Sequence, residues 1–117
     1  MAILDLENNL LTVIVLFKVR AGQQTVVLET VKQLFEIAKQ QPGFVSANLH
    51  RSLDEFKVAN YAQWEDEAAL ESFKQLPEVL ALVSSLQNSI EEMDSHLYEI
   101  IVSESKGHPE NNVTTYF

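Results

Sequence analysis

The 117-residue sequence contains no cysteine, which excludes a disulfide framework, a thiol nucleophile and a thiolate metal site. Its three glycines, Gly22, Gly43 and Gly107, stand alone, so no glycine-rich loop is present to cradle a phosphate. Positive charge is scarce: eight Lys and Arg stand against seventeen Asp and Glu, for a net charge of −9. A nucleic-acid surface needs clustered basic residues, and here they are scattered, which also disfavours an anionic membrane surface. The longest apolar-rich run, Leu10 to Val19, includes Thr12 and Lys18 and has strand length, too short to cross a bilayer. Residues 1–9 carry two acids and no base, unlike a secretory signal. With the missing cysteines, this suggests a cytoplasmic protein.

What is present fits one globular domain. Hydrophobic residues make up 46 % and charged residues 21 %, and this length can build one core without staples. From Leu11 to Arg20 the chain is rich in β-branched residues and apolar on both faces, as in a strand covered on both sides. Ala21-Gly22 breaks it. From Gln23 to Gln41, Val27, Val31, Leu34 and Ala38 form the stripe of an amphipathic helix, which Pro42-Gly43 ends.

Residues 44–53 and 56–64 read as two strands around Asp54-Glu55, a hairpin. Asp66 suits the N-cap of a short helix through Gln75, with Ala69, Leu70 and Phe73 inward. Pro77 opens another helix, whose stripe is Val79, Val83, Leu86 and Ile90. Glu91 to Ser95 is expected to be a loop, and His96 to Val102 a last strand.

The order β-α-β-β-α-α-β predicts an α+β, ferredoxin-like split βαβ fold, an antiparallel sheet with helices on one face. The first strand is apolar on its second face too, through Ile14 and Leu16, and the last strand offers Tyr98, Ile100 and Val102 there. An uncovered apolar sheet face is unusual on a monomer. A homodimer with two sheets face to face, a dimeric α+β barrel, is the expected solution. Residues 11–103 form the domain, with tails at 1–10 and 104–117.

Three polar or aromatic side chains stand out on the hairpin. Trp64, the only tryptophan, either seals the core between sheet and helix or forms a pocket wall that stacks on a flat aromatic ligand. Asn60, four residues earlier on the same strand face, either satisfies backbone or holds a substrate oxygen, as an oxyanion hole does. His50 shares Asn60's side if the hairpin loop has an odd number of residues. An even number puts it on the opposite side, in the dimer interface. His96 reads as a surface or capping residue. The three histidines have no metal-ligand spacing, and no nucleophile elbow is present.

The strand ending at Val19-Arg20-Ala21-Gly22, then Gln41-Pro42-Gly43-Phe44, His50-Arg51-Ser52-Leu53-Asp54, Asn60-Tyr61-Ala62-Gln63-Trp64 and His96-Leu97-Tyr98-Glu99 resemble the antibiotic biosynthesis monooxygenase family. That resemblance implies a cofactor-independent oxidoreductase, which uses O₂ to convert an aromatic phenol, quinol or polyketide-like substrate to a quinone. It implies Asn60, Trp64 and His50 as catalytic residues, with Trp64, Asn60 and Phe73 binding substrate and neither cofactor nor metal bound. Leu70 stands where some quinone-forming members carry a tyrosine, and no arginine follows Arg51. These departures favour a second reading, a non-catalytic small-molecule-binding or stress-related dimeric barrel. The first strand has no asparagine and residues 67–92 no histidine, so the haem-ligating arrangement of other relatives is missing.

Overall fold

The computed structural model describes residues 10–106. Its elements are β1 (Leu11–Val19), α1 (Gln24–Ala38), β2 (Phe44–Arg51), β3 (Lys57–Trp64), α2 (Glu67–Lys74), α3 (Pro77–Leu86) and β4 (Ile90–Glu99). The four strands form one sheet in the order β2-β3-β1-β4, with every neighbouring pair antiparallel. This is the expected α+β ferredoxin-like arrangement.

Strand β1 runs through the middle of the sheet, and its alternation sorts the side chains into two faces. Val13, Val15, Phe17 and Val19 are buried and meet Val27, Val31 and Ala38 of α1, Leu70 of α2 and Leu86 of α3 in one core. Thr12, Ile14, Leu16 and Lys18 point to the face that carries no helix.

Local chemistry explains most element boundaries. The Asp66 carboxylate accepts the Ala69 N–H at 2.8 Å and caps α2, and Pro77 occupies the first turn of α3, where its missing N–H has no helical partner to lose. Gln24, buried at the start of α1, donates Nε2 to the carbonyls of Ser52 (3.1 Å) and Lys57 (2.9 Å), tying the helix to the mouth of the hairpin. In the hairpin loop Glu55 adopts φ +72°. Asp54 accepts from the Ser52 hydroxyl at 2.7 Å and the Phe56 N–H at 3.0 Å. These two donors, the hydroxyl first, hold its carboxyl below the usual carboxylate range.

The last strand departs from expectation. It begins at Ile90, which is strand rather than part of the helical stripe, and Glu91 to Ser95 pair along β1 instead of looping out. Ile100 to Val102 lie beyond the strand. The cause is tertiary: a segment low in β-propensity is recruited by the unpaired edge of β1. Its exposed acidic residues suit an edge strand, which must discourage further pairing. Residues 1–9 of the N-terminal tail and everything beyond residue 106, including His108, lie outside the described residues.

Gly43 is the tightest junction. Its φ of +87° favours glycine, and a Cβ there would lie 2.5 Å from the Ala69 Cβ. Its carbonyl also accepts the Glu65 N–H at 2.7 Å. Left-handed strain and overpacking each contribute on the order of 1–2 kcal/mol. Gly43→Ala is therefore expected to lower the unfolding free energy by about 2–4 kcal/mol, seen as a lower denaturation midpoint with an unchanged m-value. A change below about 0.5 kcal/mol would contradict this packing.

Candidate functional site

The helix-facing layer is where the hairpin brings its unusual side chains. Asn60 pairs across the sheet with Val15 on one side and Leu49 on the other, so its side chain faces the helices, between Val58 and Ala62 of its own strand. Both of those neighbours are buried. The Asn60 Oδ1 is itself buried and has no hydrogen-bond partner among the described residues. A buried amide oxygen without a partner costs about 1–3 kcal/mol, and such an oxygen is an acceptor waiting for a donor.

The other polar side chains of this layer are engaged. Gln24 holds the two hairpin carbonyls described above, and the Thr30 hydroxyl donates to the Val26 carbonyl of its own helix at 2.9 Å. Among the described residues the buried polar side chains are Thr12, Gln24, Thr30, Gln63 and Ser89. None is an acid or a base near neutral pH.

Trp64 shares the Asn60 face, but the structure packs it fully. It is 1 % exposed, with the Phe44 ring edge-on at 5.3 Å and the Phe73 ring tilted against it at 5.1 Å. An extra residue in β2, between Phe44 and Ser46, sets Phe44 opposite Trp64. The two phenyl rings hold the places a flat ligand would take on the indole. Trp64 is thus packed as in the first of its two readings, the seal of the core between sheet and helix. Phe73 faces inward and packs against Trp64. Asn60 lies four residues, about 13 Å, further along the strand.

His50 is not in this layer. It pairs with Ala59, while Leu49 pairs with Asn60, so His50 points to the helix-free face. The Ser52 N–H donates to the Lys57 carbonyl at 3.0 Å, which leaves four residues in the loop, the even case. The expected trio is thus split: Trp64 and Phe73 touch, Asn60 shares their side of the sheet, and His50 is on the other.

The same alternation places Arg51, exposed at the end of β2, on the Asn60 side opposite Val58. It stands diagonally from Asn60 across the β2–β3 pair, roughly 7–8 Å away, within reach of a long side chain. The sequence reading did not assign it a role. The signal was available, because whichever face His50 takes, Arg51 takes the other.

The helix-free face carries other chemistry. His96 Nε2 and Asp94 Oδ1 are 2.7 Å apart on β4, so His96 lies within the strand rather than opening it. A polar chain runs from the Ser46 hydroxyl to Gln63 Oε1 (3.3 Å), and from Gln63 Nε2 to the Thr12 hydroxyl (3.4 Å). Beside it lies a pocket of about 240 Å³ bordered by Thr12, Ile14, Tyr61, Tyr98 and residues 100–103. Among the described residues no three His, Asp or Glu side chains converge as metal ligands, and no helix is long and apolar enough to cross a membrane.

This fold and face pattern coincide with a known family. Residues 10–85 match the family described as antibiotic biosynthesis monooxygenase, and the chain belongs to it. Among its relatives is the tetracenomycin-F1 monooxygenase of Streptomyces glaucescens, 38 % identical over 69 residues, which cover 58 % of this chain and 62 % of that enzyme. The chain thus matches somewhat less than two thirds of that relative's length.

Among solved structures, a mutant of SnoaB, a cofactor-independent oxygenase from Streptomyces nogalater, superposes with a TM-score of 0.74. It is 21 % identical, over 81 % of this chain and 96 % of that one. PA3566 from Pseudomonas aeruginosa gives a TM-score of 0.73 at 18 % identity, over 80 % and 96 % of the two chains. These structural likenesses show the shared fold.

Because the Asn60 oxygen has no partner among the described residues, a leucine of similar shape should fit better there. Asn60→Leu is expected to raise the unfolding free energy by about 1 kcal/mol or more, read from chemical denaturation. A loss of stability would mean that the carboxamide is structurally engaged.

Proposed function

We propose that this protein is a cofactor-independent monooxygenase acting on a flat phenolic or quinol-type aromatic, with the substrate oxygen held at Asn60. The buried, unpartnered Asn60 Oδ1 carries this reading: a polar group kept at a stability cost inside an apolar layer is what a binding site needs and a core does not. The family and the named monooxygenase relative supply the reaction class.

The chemistry asks little of the protein beyond binding and electrostatics. An electron-rich phenolate gives one electron to O₂, forming a phenoxyl radical and superoxide. The two combine at a ring carbon, and the resulting peroxide takes up a proton. Loss of water then leaves a carbonyl where a C–H pair had been. One oxygen atom enters the ring and the other departs in water. Asn60 Oδ1 would accept a hydrogen bond from a substrate hydroxyl and so fix the ring, and the apolar layer would exclude water from the radical pair. In this reading Trp64 and Phe73 form the rigid end wall of the layer, and His50, on the other face, takes no part.

A non-catalytic binding protein is the second reading. That no buried acid or base stands beside Asn60 among the described residues favours it. Oxygen consumption separates the two. With metal-stripped protein and an anthrone or naphthalenediol substrate, uptake above buffer autoxidation is expected, falling about a hundredfold in Asn60→Leu. Uptake no faster than buffer, or unchanged in the variant, would sink the assignment.

We also infer a homodimer formed through the helix-free face. Leu16 and Tyr98 are 48 % and 46 % exposed there, and Ile101 and Val102 are exposed beside them, around the pocket that includes Ile14 and Tyr61. Sedimentation equilibrium should give about twice the 13.3 kDa of one chain, and Leu16→Glu should shift the mass towards the monomer. A concentration-independent single-chain mass for the unmodified protein would remove the inference.

A further inference from the structure

Resting on the oxygenase reading, we infer that the substrate enters already ionised, as the monoanion of a dihydroxyaromatic, with Arg51 as its counter-ion and Asn60 as the partner of its remaining hydroxyl. The first ground is what surrounds Asn60. From β1 it faces Val13, Val15 and Phe17, and the charged residues of α1, α2 and α3 are all exposed. On its side of the sheet the charged residues are Arg51 at the end of β2 and Glu99 at the end of β4, the latter paired with Leu11 at the far end of β1. Among the described residues, then, no base stands next to Asn60 to take a proton from a bound phenol, Glu99 being at the far end of the sheet. A ring that must become electron-rich enough to reduce O₂ therefore loses its proton before it binds.

The second ground is Arg51 itself. In a chain of net charge −9 with eight basic residues, Lys18, Lys32, Lys39 and Lys74 are held by Glu91, Glu29, Glu36 and Glu71 at 3.0–3.6 Å. Arg51, like Arg20, Lys57 and Lys106, makes no ion pair among the described residues, and of these four it is the one placed beside Asn60 on the helix-facing side. It stands one diagonal step from the orphan carboxamide, where a planar guanidinium can meet a phenolate oxygen with charge-assisted hydrogen bonds.

The third ground is the direction of the missing bond. Oδ1 accepts and does not donate, so the group that completes it carries a hydrogen, whereas Arg51 calls for a negative oxygen. A ring bearing one hydroxyl and one phenolate answers both. A simple phenolate answers only Arg51, and a neutral phenol only Asn60. Arg51 is thus a positioning and specificity residue, and the two residues together select the ionised form of a two-oxygen ring.

The test uses 4-nitrocatechol, whose absorption bands distinguish its neutral and monoanionic forms, together with 4-nitrophenol, which lacks the second hydroxyl. The bound catechol is expected to absorb as the monoanion, with its ionisation displaced to lower pH than in buffer. It should bind about tenfold more tightly than 4-nitrophenol. Arg51→Gln, checked for folding by circular dichroism, should weaken binding about tenfold and abolish the displacement. Arg51→Lys should retain part of both, and added salt should weaken binding to the unmodified protein.

Binding as the neutral form, no binding, or equal affinity in Arg51→Gln would overturn the inference. Oxygen uptake with a naphthalenediol, run in parallel, separates it from the oxygenase reading. A monoanion held without O₂ consumption refutes the oxygenase alone, whereas uptake with the catechol bound neutral or unbound refutes the anion site alone.

Discussion

Strand β1 is paired on both sides, with β3 and β4, and its alternation decides which side chains meet the helices. Val13, Val15, Phe17 and Val19 are drawn into the core, and the strands hydrogen-bonded to β1 must follow its register. A slip of one residue would exchange the faces of every side chain it pairs. From that register alone Asn60 and Trp64 go to the helices, with Arg51 on their side, and His50 goes to the bare face. The sorting is enforced by burial of roughly half of β1 in an apolar layer, where each large side chain contributes about 1.5–3 kcal/mol.

The consequence is a layer of aliphatic and aromatic side chains with one unsatisfied carboxamide in it. Gln24 and Thr30 show that the fold can satisfy polar groups there when it is built to, the first by clasping the hairpin and the second by bonding back to its own helix. Asn60 is treated differently. Its oxygen is buried, with Val15, Leu49, Val58 and Ala62 as its sheet neighbours, and none of the described residues donates to it. A low-dielectric setting strengthens a hydrogen bond, so in the proposed reading the position that costs the fold stability is where a ligand's hydroxyl would gain most.

Much of this was legible in the residues. The β-branched first strand, the stripe of α1, the Asp66 cap and the proline opening α3 each state a local preference that the fold obeys. The hairpin itself was legible, and the face of His50 was fixed up to the parity of one loop. What could not be read was set by partners distant in sequence. Glu91 to Ser95 look like a solvated turn, and become strand because β1 has an edge to fill. Trp64 looks equally suited to a core or a pocket wall, and the choice is made by the bulge that carries Phe44 opposite it and the helix that lowers Phe73 onto it. The orphan state of Asn60 belongs to the same class, because it depends on what every surrounding side chain does with its own hydrogen bonds.

The proposed activity depends on where a flat hydroxylated ring binds. A crystal structure of the protein soaked with 2,3-dihydroxynaphthalene under anaerobic conditions would locate it. The ring is predicted on the helix-facing side of the sheet, one hydroxyl within hydrogen-bond distance of the Asn60 carboxamide and the other towards Arg51. A ring found only on the helix-free face, beside Tyr61 and Tyr98, with the Asn60 side chain undisturbed, would contradict the site at its root.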